Sequence, residues 1–325
     1  MLRRTFLLQC VSLACASTMP FLAHAQETYP AQPIKLVVGF AAGGGADAVA
    51  RLISSALAQE LKASIVIENR PGANANIATD AVARSAKDGY TLLYNTSAIT
   101  ISPYLYKSLP YDLKSDLVPI ALTAEIPLIL VTSASNSAKT LDEFIKQLKT
   151  NPGKLNYASS SPGNLTHLAA VEFLRVSQTT AFHIPYKSEA PAVTDLIGGR
   201  VEFYIGNANT LLPQIKAGKL TALAVTSGQR LPQLSDTPTL AEALQPGLEM
   251  AAWSGFMAPA GTPEPIVKKL ESALQRVVTS PALSKQIADS GATARFADAA
   301  AYQDLIDEEL ARWARVAKAA GIQPE

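Results

Sequence analysis

Apolar residues along this chain come in two alternating textures: short unbroken runs, and stretches in which they return every third or fourth position. Residues 34–40, Ile-Lys-Leu-Val-Val-Gly-Phe, are mostly β-branched or apolar and lie between Pro33 and a run of glycines, which predicts a buried strand. Past the glycines, Val49, Leu52, Ile53, Ala56, Leu57 and Leu61 fall on one face of a helix. The alternation continues with predicted strands over residues 64–68, 90–94 and 127–131 and helices over 76–86 and 141–148, while 111–119 reads as loop. A second strand–turn–helix unit follows, with a strand at 154–157, a turn of small residues at 158–163 and a helix at 164–176. Strands at 182–185, 201–205, 222–226 and 250–257 then flank helices at 191–197 and 211–217. The tail reads as helix over 265–279, 281–289 and 298–320.

Strands alternating with helices predict an α/β fold of mostly parallel sheets flanked by helices, joined by right-handed crossovers. No low-complexity linker divides the chain. Two lobes exchanging the chain at crossings near residues 125 and 250 are therefore expected, the first made of 26–125 with 250–325 and the second of 126–249.

The beginning of the chain departs from this pattern. Arg3 and Arg4, an apolar stretch over 6–21 and Ala23-His24-Ala25 read as a signal peptide cut after Ala25. Arg3-Arg4-Thr5-Phe6-Leu7 is similar to a twin-arginine signal, and the general secretory route stays open as the alternative. Both cysteines, Cys10 and Cys15, leave with the leader, so the mature chain has neither disulfide nor thiolate chemistry. Of 28 basic residues two lie in the leader, against 27 acidic ones in all. A near-neutral surface argues against nucleic acid as a partner, and no stretch after residue 30 is apolar enough to span a bilayer.

Candidate chemistry concentrates in the turns. Phe40-Ala41-Ala42-Gly43-Gly44-Gly45-Ala46-Asp47 joins a strand to a helix, aiming free N–H groups and the positive end of the helix dipole at one point. Glycines let an anion approach that point closely. Ser159-Ser160-Ser161-Pro162-Gly163-Asn164 repeats the device. Asp47, in the first helical turn, reads as an acceptor for backbone N–H groups rather than a base. The polar triplets Asn95-Thr96-Ser97 and Asn207-Ala208-Asn209 stand at strand ends, where ligands of open α/β sheets collect. Tyr186 and Lys187 follow a strand; Trp253 reads as core.

Gly43-x-Gly45-x-x-Ala48 also fits a loose dinucleotide fingerprint, with Glu68 near the place of the ribose-binding acid. An exported nucleotide-dependent oxidoreductase is therefore the rival reading. Export and the second turn, which has no role in that scheme, speak against it. Hydrolysis has less support still: His167 and His183 read as packed residues, and there is no G-x-S-x-G, H-E-x-x-H or paired metal spacing. Neither a cofactor nor a metal is expected.

Taken together, the motifs have a family likeness: Phe40 to Arg51, Glu68-Asn-Arg-Pro-Gly-Ala73, Asp88-Gly-Tyr-Thr-Leu-Leu93, Leu109-Pro-Tyr-Asp112 and Pro152-Gly-Lys-Leu-Asn-Tyr157. His167-Leu168, Ile184-Pro-Tyr-Lys187, Gly198-Gly199, Gly218-Lys-Leu220, Asp236-Thr-Pro-Thr239 and Ala258-Pro-Ala-Gly-Thr-Pro263 continue it. The chain resembles the Bug family of periplasmic solute-binding proteins, which serve tripartite tricarboxylate transporters. The resemblance implies a two-lobed Venus-flytrap of type II-like architecture, periplasmic and monomeric, closing on a small carboxylate that the two turns hold partly through ordered waters. Its partners would be the membrane components of such a transporter, or a sensor. The two turns and the strand ends together give the candidate ligand-binding residues: Phe40, Ala41, Gly43, Gly44 and Asp47; Thr96 and Ser97; Ser159, Ser160, Ser161, Gly163, Asn164 and His167; and Tyr186 and Asn207. Two departures matter. Ser161 stands where the family usually has glycine, and Asn164 where it has a hydroxyl. Where some members place an aspartate opposite a ligand amino group, this chain has Gly206, so the expected ligand is a di- or tricarboxylate or an aromatic acid without an ammonium group.

Overall fold

The computed structural model describes residues 29–319, 321, 322 and 324; the expected leader and its cleavage site after Ala25 lie outside them. The chain opens with β1 (Ile34–Val38), α1 (Gly45–Leu61), β2 (Ile65–Asn69), α2 (Asn76–Ala83), β3 (Thr91–Thr96) and the short α3 (Ala98–Ile101). Then come β4 (Leu117–Ser133), α4 (Leu141–Thr150), β5 (Asn156–Ser159), α5 (Leu165–Ser177), β6 (Phe182–Pro185), α6 (Glu189–Ile197) and β7 (Phe203–Asn207). The remainder is α7 (Ala208–Lys216), β8 (Leu220–Val225), α8 (Leu240–Ala243), β9 (Ala251–Pro259), α9 (Glu264–Val278), α10 (Pro281–Asp289), β10 (Thr293–Ala297) and α11 (Ala299–Ala319).

The strands form one sheet in the order β2-β1-β3-β9-β4-β7-β5-β6, with β8 and β10 also paired to β4. The outer ladders, β1 with β2 and β3 and β5 with β6 and β7, are parallel as the alternation predicted. The central ladders are not: β4 runs antiparallel to β9, β10, β7 and β8, and β3 antiparallel to β9. The sheet is therefore mixed rather than mostly parallel. The periodicity could not show this, because the antiparallel pairs join segments more than seventy residues apart.

β4 is the largest difference from the sequence reading. A strand was expected only over 127–131 and loop up to 119, yet one strand of 17 residues runs from Leu117 to Ser133. Pro119, Glu125 and Pro127 break the apolar run, and the ladder with β9 accommodates them through register shifts near Pro119 and Leu122. Residues 117–127 bond to β9 and 128–133 to β7 and β8, so β4 belongs to both halves of the sheet.

Both faces of each half are covered. Leu36 and Val38 enter one core and Val37 another; Leu128 and Leu130 enter a third, Ile129 and Val131 a fourth. Burial on both faces explains why these strands read as unbroken apolar runs instead of alternating. Helix α11 touches two of these cores, with Tyr302 and Ile306 beside Trp253 and with Trp313 and Val316 among Phe144, Phe173 and Phe203. Local signals start the helices where they lie: Thr140 and Glu143 form a reciprocal cap on α4, and Ser280 caps α10 ahead of Pro281.

Gly72, Ala73, Asn74 and Ala75 all have positive φ (130°, 45°, 53° and 71°), an unusual left-handed turn for three residues with side chains. Asn74 Nδ2 anchors it to the Ala98 carbonyl and to Ser102 Oγ at 3.2 and 3.1 Å. The turn places Ala75 Cβ where a side chain at Gly39 would stand, 2.3 Å from an ideal Cβ, at the carboxyl end of β1.

Gly255 of β9 is equally constrained: a Cβ there would lie 2.6 Å from both the Ala121 carbonyl of β4 and the Tyr302 ring of α11. Gly255→Ala is expected to cost roughly 1–3 kcal/mol through overpacking, read as a lower urea midpoint at unchanged slope. An unchanged midpoint would show that the β4–β9–α11 layer has slack.

Candidate functional site

The first turn leaves β1 and enters α1 through four exposed residues, Ala41 to Gly44. Gly43 has φ of +81°, which favours glycine at this position. Gly44 is the N-cap and offers no side chain, so the N–H groups of the first turn of α1 receive no side-chain cap. Asp47, expected among the ligand-binding residues, is committed to the protein. Its carboxylate accepts from Gly43 N at 2.8 Å, from Arg51 Nε and Nη2 at 2.8 and 3.0 Å, and from Asn69 Nδ2 at 2.8 Å. Asn69 Nδ2 also donates to the Phe40 carbonyl at 3.0 Å. Burial acts to raise the Asp47 carboxyl, but the bonds from Arg51, Gly43 and Asn69 outweigh it and hold it below the ordinary aspartate value. Asp47 thus fixes the shape of the turn, and an anion arriving there meets backbone N–H groups.

The second turn spends more of itself internally than its sequence suggests. Asn164 caps α5 by accepting from His167 N at 3.2 Å, and its Nδ2 donates to Ser160 Oγ at 2.6 Å. Thr166 Oγ1 accepts from Ser160 N at 2.9 Å. Ser159 is fully buried, with its hydroxyl 2.7 Å from His183 Nε2 and 3.1 Å from the Ser161 carbonyl it donates to. Gly163 N donates to His167 Nδ1 at 3.0 Å, which leaves the ring proton on Nε2. The side chains of Ser159, Ser160, Asn164 and His167 therefore build the turn. Ser161, whose hydroxyl makes only a long 3.3 Å contact with the Pro162 carbonyl, is the freest hydroxyl in it.

Beneath this turn His167 and His183 stack at 3.9 Å with an 8° interplanar angle, and Tyr157 and Phe203 extend the stack. Burial, helped by the neighbouring His183, lowers the His167 pKa from 6.5 to about 4; burial lowers that of His183 too. Two neutral imidazoles form the floor of the site.

A third element, the strand end carrying Asn207, Ala208 and Asn209, completes the constellation. Strand β7 passes directly into α7, so Asn207 is a helix N-cap, yet its side chain makes no cap bond. It turns instead to Glu189, donating to Oε1 at 2.5 Å. Asn209, in the first turn of α7, crosses to the other half of the sheet: a Cβ at Gly45 would stand 2.5 Å from its Nδ2, and one at Gly291 would stand 2.8 Å from its Cα. This contact sets the uncapped starts of α1 and α7 side by side. Gly163 receives a similar contact, from Leu105, at 2.2 Å from an ideal Cβ.

The side chains of the remaining expected residues are engaged within the protein, although Tyr186 N donates to the Ser159 carbonyl of the second turn at 2.9 Å. Tyr186 Oη donates to Asp195 Oδ2 on α6 at 2.8 Å and is pushed up to about 12, first by burial and then by Asp195. Thr96 and Ser97 serve the start of α3, where Thr96 Oγ1 accepts from Ala98 N and Ser97 N donates to the Trp253 carbonyl. A cavity of about 620 Å³ lies beyond Asn209, bordered by Pro127, Leu212, Arg230, Glu249 and Arg295. No residue of the first two turns lines it, but Ala208, the first residue of α7, does, so it borders the start of that helix.

The sequence profile of the tripartite tricarboxylate transporter family receptor matches residues 49–322. The chain belongs to this family. Among solved structures, the periplasmic binding protein BugD is 33% identical with a TM-score of 0.76, over 91% of this chain and 100% of that one. Rpa4515 from R. palustris, solved with adipate, is 35% identical with a TM-score of 0.80, over 91% and 100%. MatC from Rhodopseudomonas palustris, solved with bound malate, is 32% identical with a TM-score of 0.73, over 89% and 100%. This member of the family is thus a solute-binding protein of the two-lobed periplasmic type, at work outside the cytoplasm. It is not an enzyme, and the oxidoreductase reading falls with that assignment. Glu68 is ion-paired with Arg70 and with Lys35, the latter at 3.3 Å. No helix among the described residues is long and apolar enough to cross a membrane.

Sequence reasoning missed Glu189 and Tyr204 in this receptor and gave Asn209 no role. The period-two rule offered a signal for Tyr204, since residues 204 and 206 share a face of β7 and glycine leaves that face empty.

The buried histidines give stability a defined pH dependence. An unfolded chain protonates His167 near pH 6.5, whereas the folded one resists until about pH 4. The contribution of His167 is complete above about pH 6.5 and is lost as pH falls from there towards 4. Urea titrations at pH 7.5, 5.5 and 4.5 should show this loss, and His167→Gln should flatten it. Equal slopes in variant and wild type would exclude His167 as the source.

Proposed function

We propose that this receptor captures a small carboxylate between its two lobes and presents it to the membrane components of a tripartite tricarboxylate-type transporter or to a sensor. The lobes are residues 26–125 with 250–325, and residues 126–249, and the protein acts as a monomer. The observation that carries the reading is the Gly45–Asn209 contact, which brings two uncapped helix starts together at the carboxyl ends of strands. Each start carries roughly half a positive charge, and partial burial strengthens its effect on an anion. The carboxylate lies against the backbone of Ala41 to Gly45 and of the α7 start, with Ser161 and the Gly163 turn closing the other side. Neither turn contains Arg or Lys, so backbone N–H groups supply the recognition. Adipate and malate in the two related structures are dicarboxylates, in keeping with this chemistry.

Melting curves with adipate, malate and citrate test it. A ligand at about 100 times its dissociation constant should add about 2.7 kcal/mol of stability. Gly44 has backbone angles open to any residue (φ −76°, ψ 167°), so Gly44→Val should fold yet lose that stabilisation. Unchanged affinity in this variant would remove the first turn from the site.

Closure is the second expectation. Two lobes that share β4 and are joined again at β9 should close as a hinge over the ligand. Small-angle scattering should record a smaller radius of gyration at saturation, and an unchanged radius would count against a closing motion.

A further inference from the structure

At the end of β7 a tyrosine fills the space of a missing side chain. A Cβ at Gly206 would stand 2.1 Å from Tyr204 Cε1, so the tyrosine ring lies against the glycine and carries its hydroxyl toward the strand end. That hydroxyl is buried and makes no hydrogen bond of ordinary geometry. Its polar neighbours are Ser160 and Thr166 of the second turn and Glu189. Glu189 reaches the cluster from the first turn of α6, accepting from Asn207 Nδ2 at 2.5 Å, with Thr210 against it. All of these partners are neutral. Among the described residues Glu189 forms no ion pair.

Burial holds the Glu189 carboxyl above the ordinary glutamate range, against the pull of its hydrogen bonds. An acid so placed, with no counter-charge and an orphan hydroxyl beside it, is costly in the empty site and is relieved by a donor on a bound molecule. It stands next to the α7 start, where the carboxylate is proposed to bind.

We propose that Glu189, with the Tyr204 hydroxyl, determines specificity, selecting small carboxylates that carry an ammonium or hydroxyl group on their carbon skeleton. This rests on the carboxylate reading above: the acid end lies at the starts of α1 and α7, and the donor substituent turns to Glu189. An unsubstituted dicarboxylate leaves Glu189 uncompensated and sets a further negative charge near it. The inference replaces the expectation, drawn from the bare Gly206, of a ligand without an ammonium group.

Calorimetric titration with matched acids tests it: succinate, malate and aspartate, then adipate, 2-hydroxyadipate and 2-aminoadipate. In the wild type the best donor-bearing acid should bind at least about tenfold more tightly than its unsubstituted partner, as one charge-assisted hydrogen bond allows. The ammonium arm should gain more than the hydroxyl arm if charge dominates. Glu189→Gln keeps the acceptor for Asn207, so it should fold, retain the unsubstituted acids and lose most of the preference. Tyr204→Phe should weaken the donor-bearing acids alone. A wild type that binds the unsubstituted acids as tightly, or a preference that survives Glu189→Gln, overturns the inference while leaving the carboxylate reading intact. Binding of none of the six overturns both.

Discussion

Strand β4 is the constraint on which the architecture rests. Its first eleven residues are bonded to β9 and its last six to β7 and β8, so neither half of the sheet can complete its hydrogen bonds without it. Backbone groups buried in the middle of a sheet have no alternative partners, and this makes β4 the most costly strand to disturb. The change of partners falls at Pro127 and Leu128. Proline brings no N–H to the ladder there, and Thr226 holds the changeover instead, its Oγ1 accepting from Leu128 N at 3.0 Å and its N–H donating to the Leu128 carbonyl at 2.9 Å.

Helix α11 ties the halves a second time and from one side. Its Glu309 accepts from Trp313 Nε1 at 2.5 Å and is paired with Arg312 at 3.0 Å. Burial raises this carboxyl in spite of the arginine. Trp313 is packed into the core around Phe173, whereas Tyr302, about three turns earlier, meets Trp253 edge-on at 5.5 Å in a core of the other half. One helix is thus anchored in two cores, with a buried acid between the anchors.

Polar satisfaction decides which groups are left for a ligand. The second turn, rich in serine and asparagine, satisfies its own donors and acceptors and stands on two stacked neutral histidines, so it is a rigid wall. The first turn has no side chain at its cap and keeps its helix N–H groups available, while Asp47, Arg51 and Asn69 fix it from behind. The start of α7 is available for a different reason, because its cap residue is drawn away to Glu189. Small polar residues in a turn signal order as often as they signal recognition, and only the list of partners tells the two apart.

The sequence by itself determined the local elements and the chemical character of the first turn. Apolar runs of residues 34–38 and 182–185, the helical faces after Gly45 and Asn164, and the glycines before α1 act over a few residues, and short-range patterns express such forces directly. Only the tertiary structure decided the antiparallel centre of the sheet, the full length of β4, and the approach of Asn209 to Gly45. It likewise decided that Glu189, Tyr204 and Ser160 form one cluster and that Asp47 and Ser159 face inward. Each of these depends on partners distant along the chain, and no periodicity in a single segment records which distant segment will satisfy a buried donor or fill the space above a glycine.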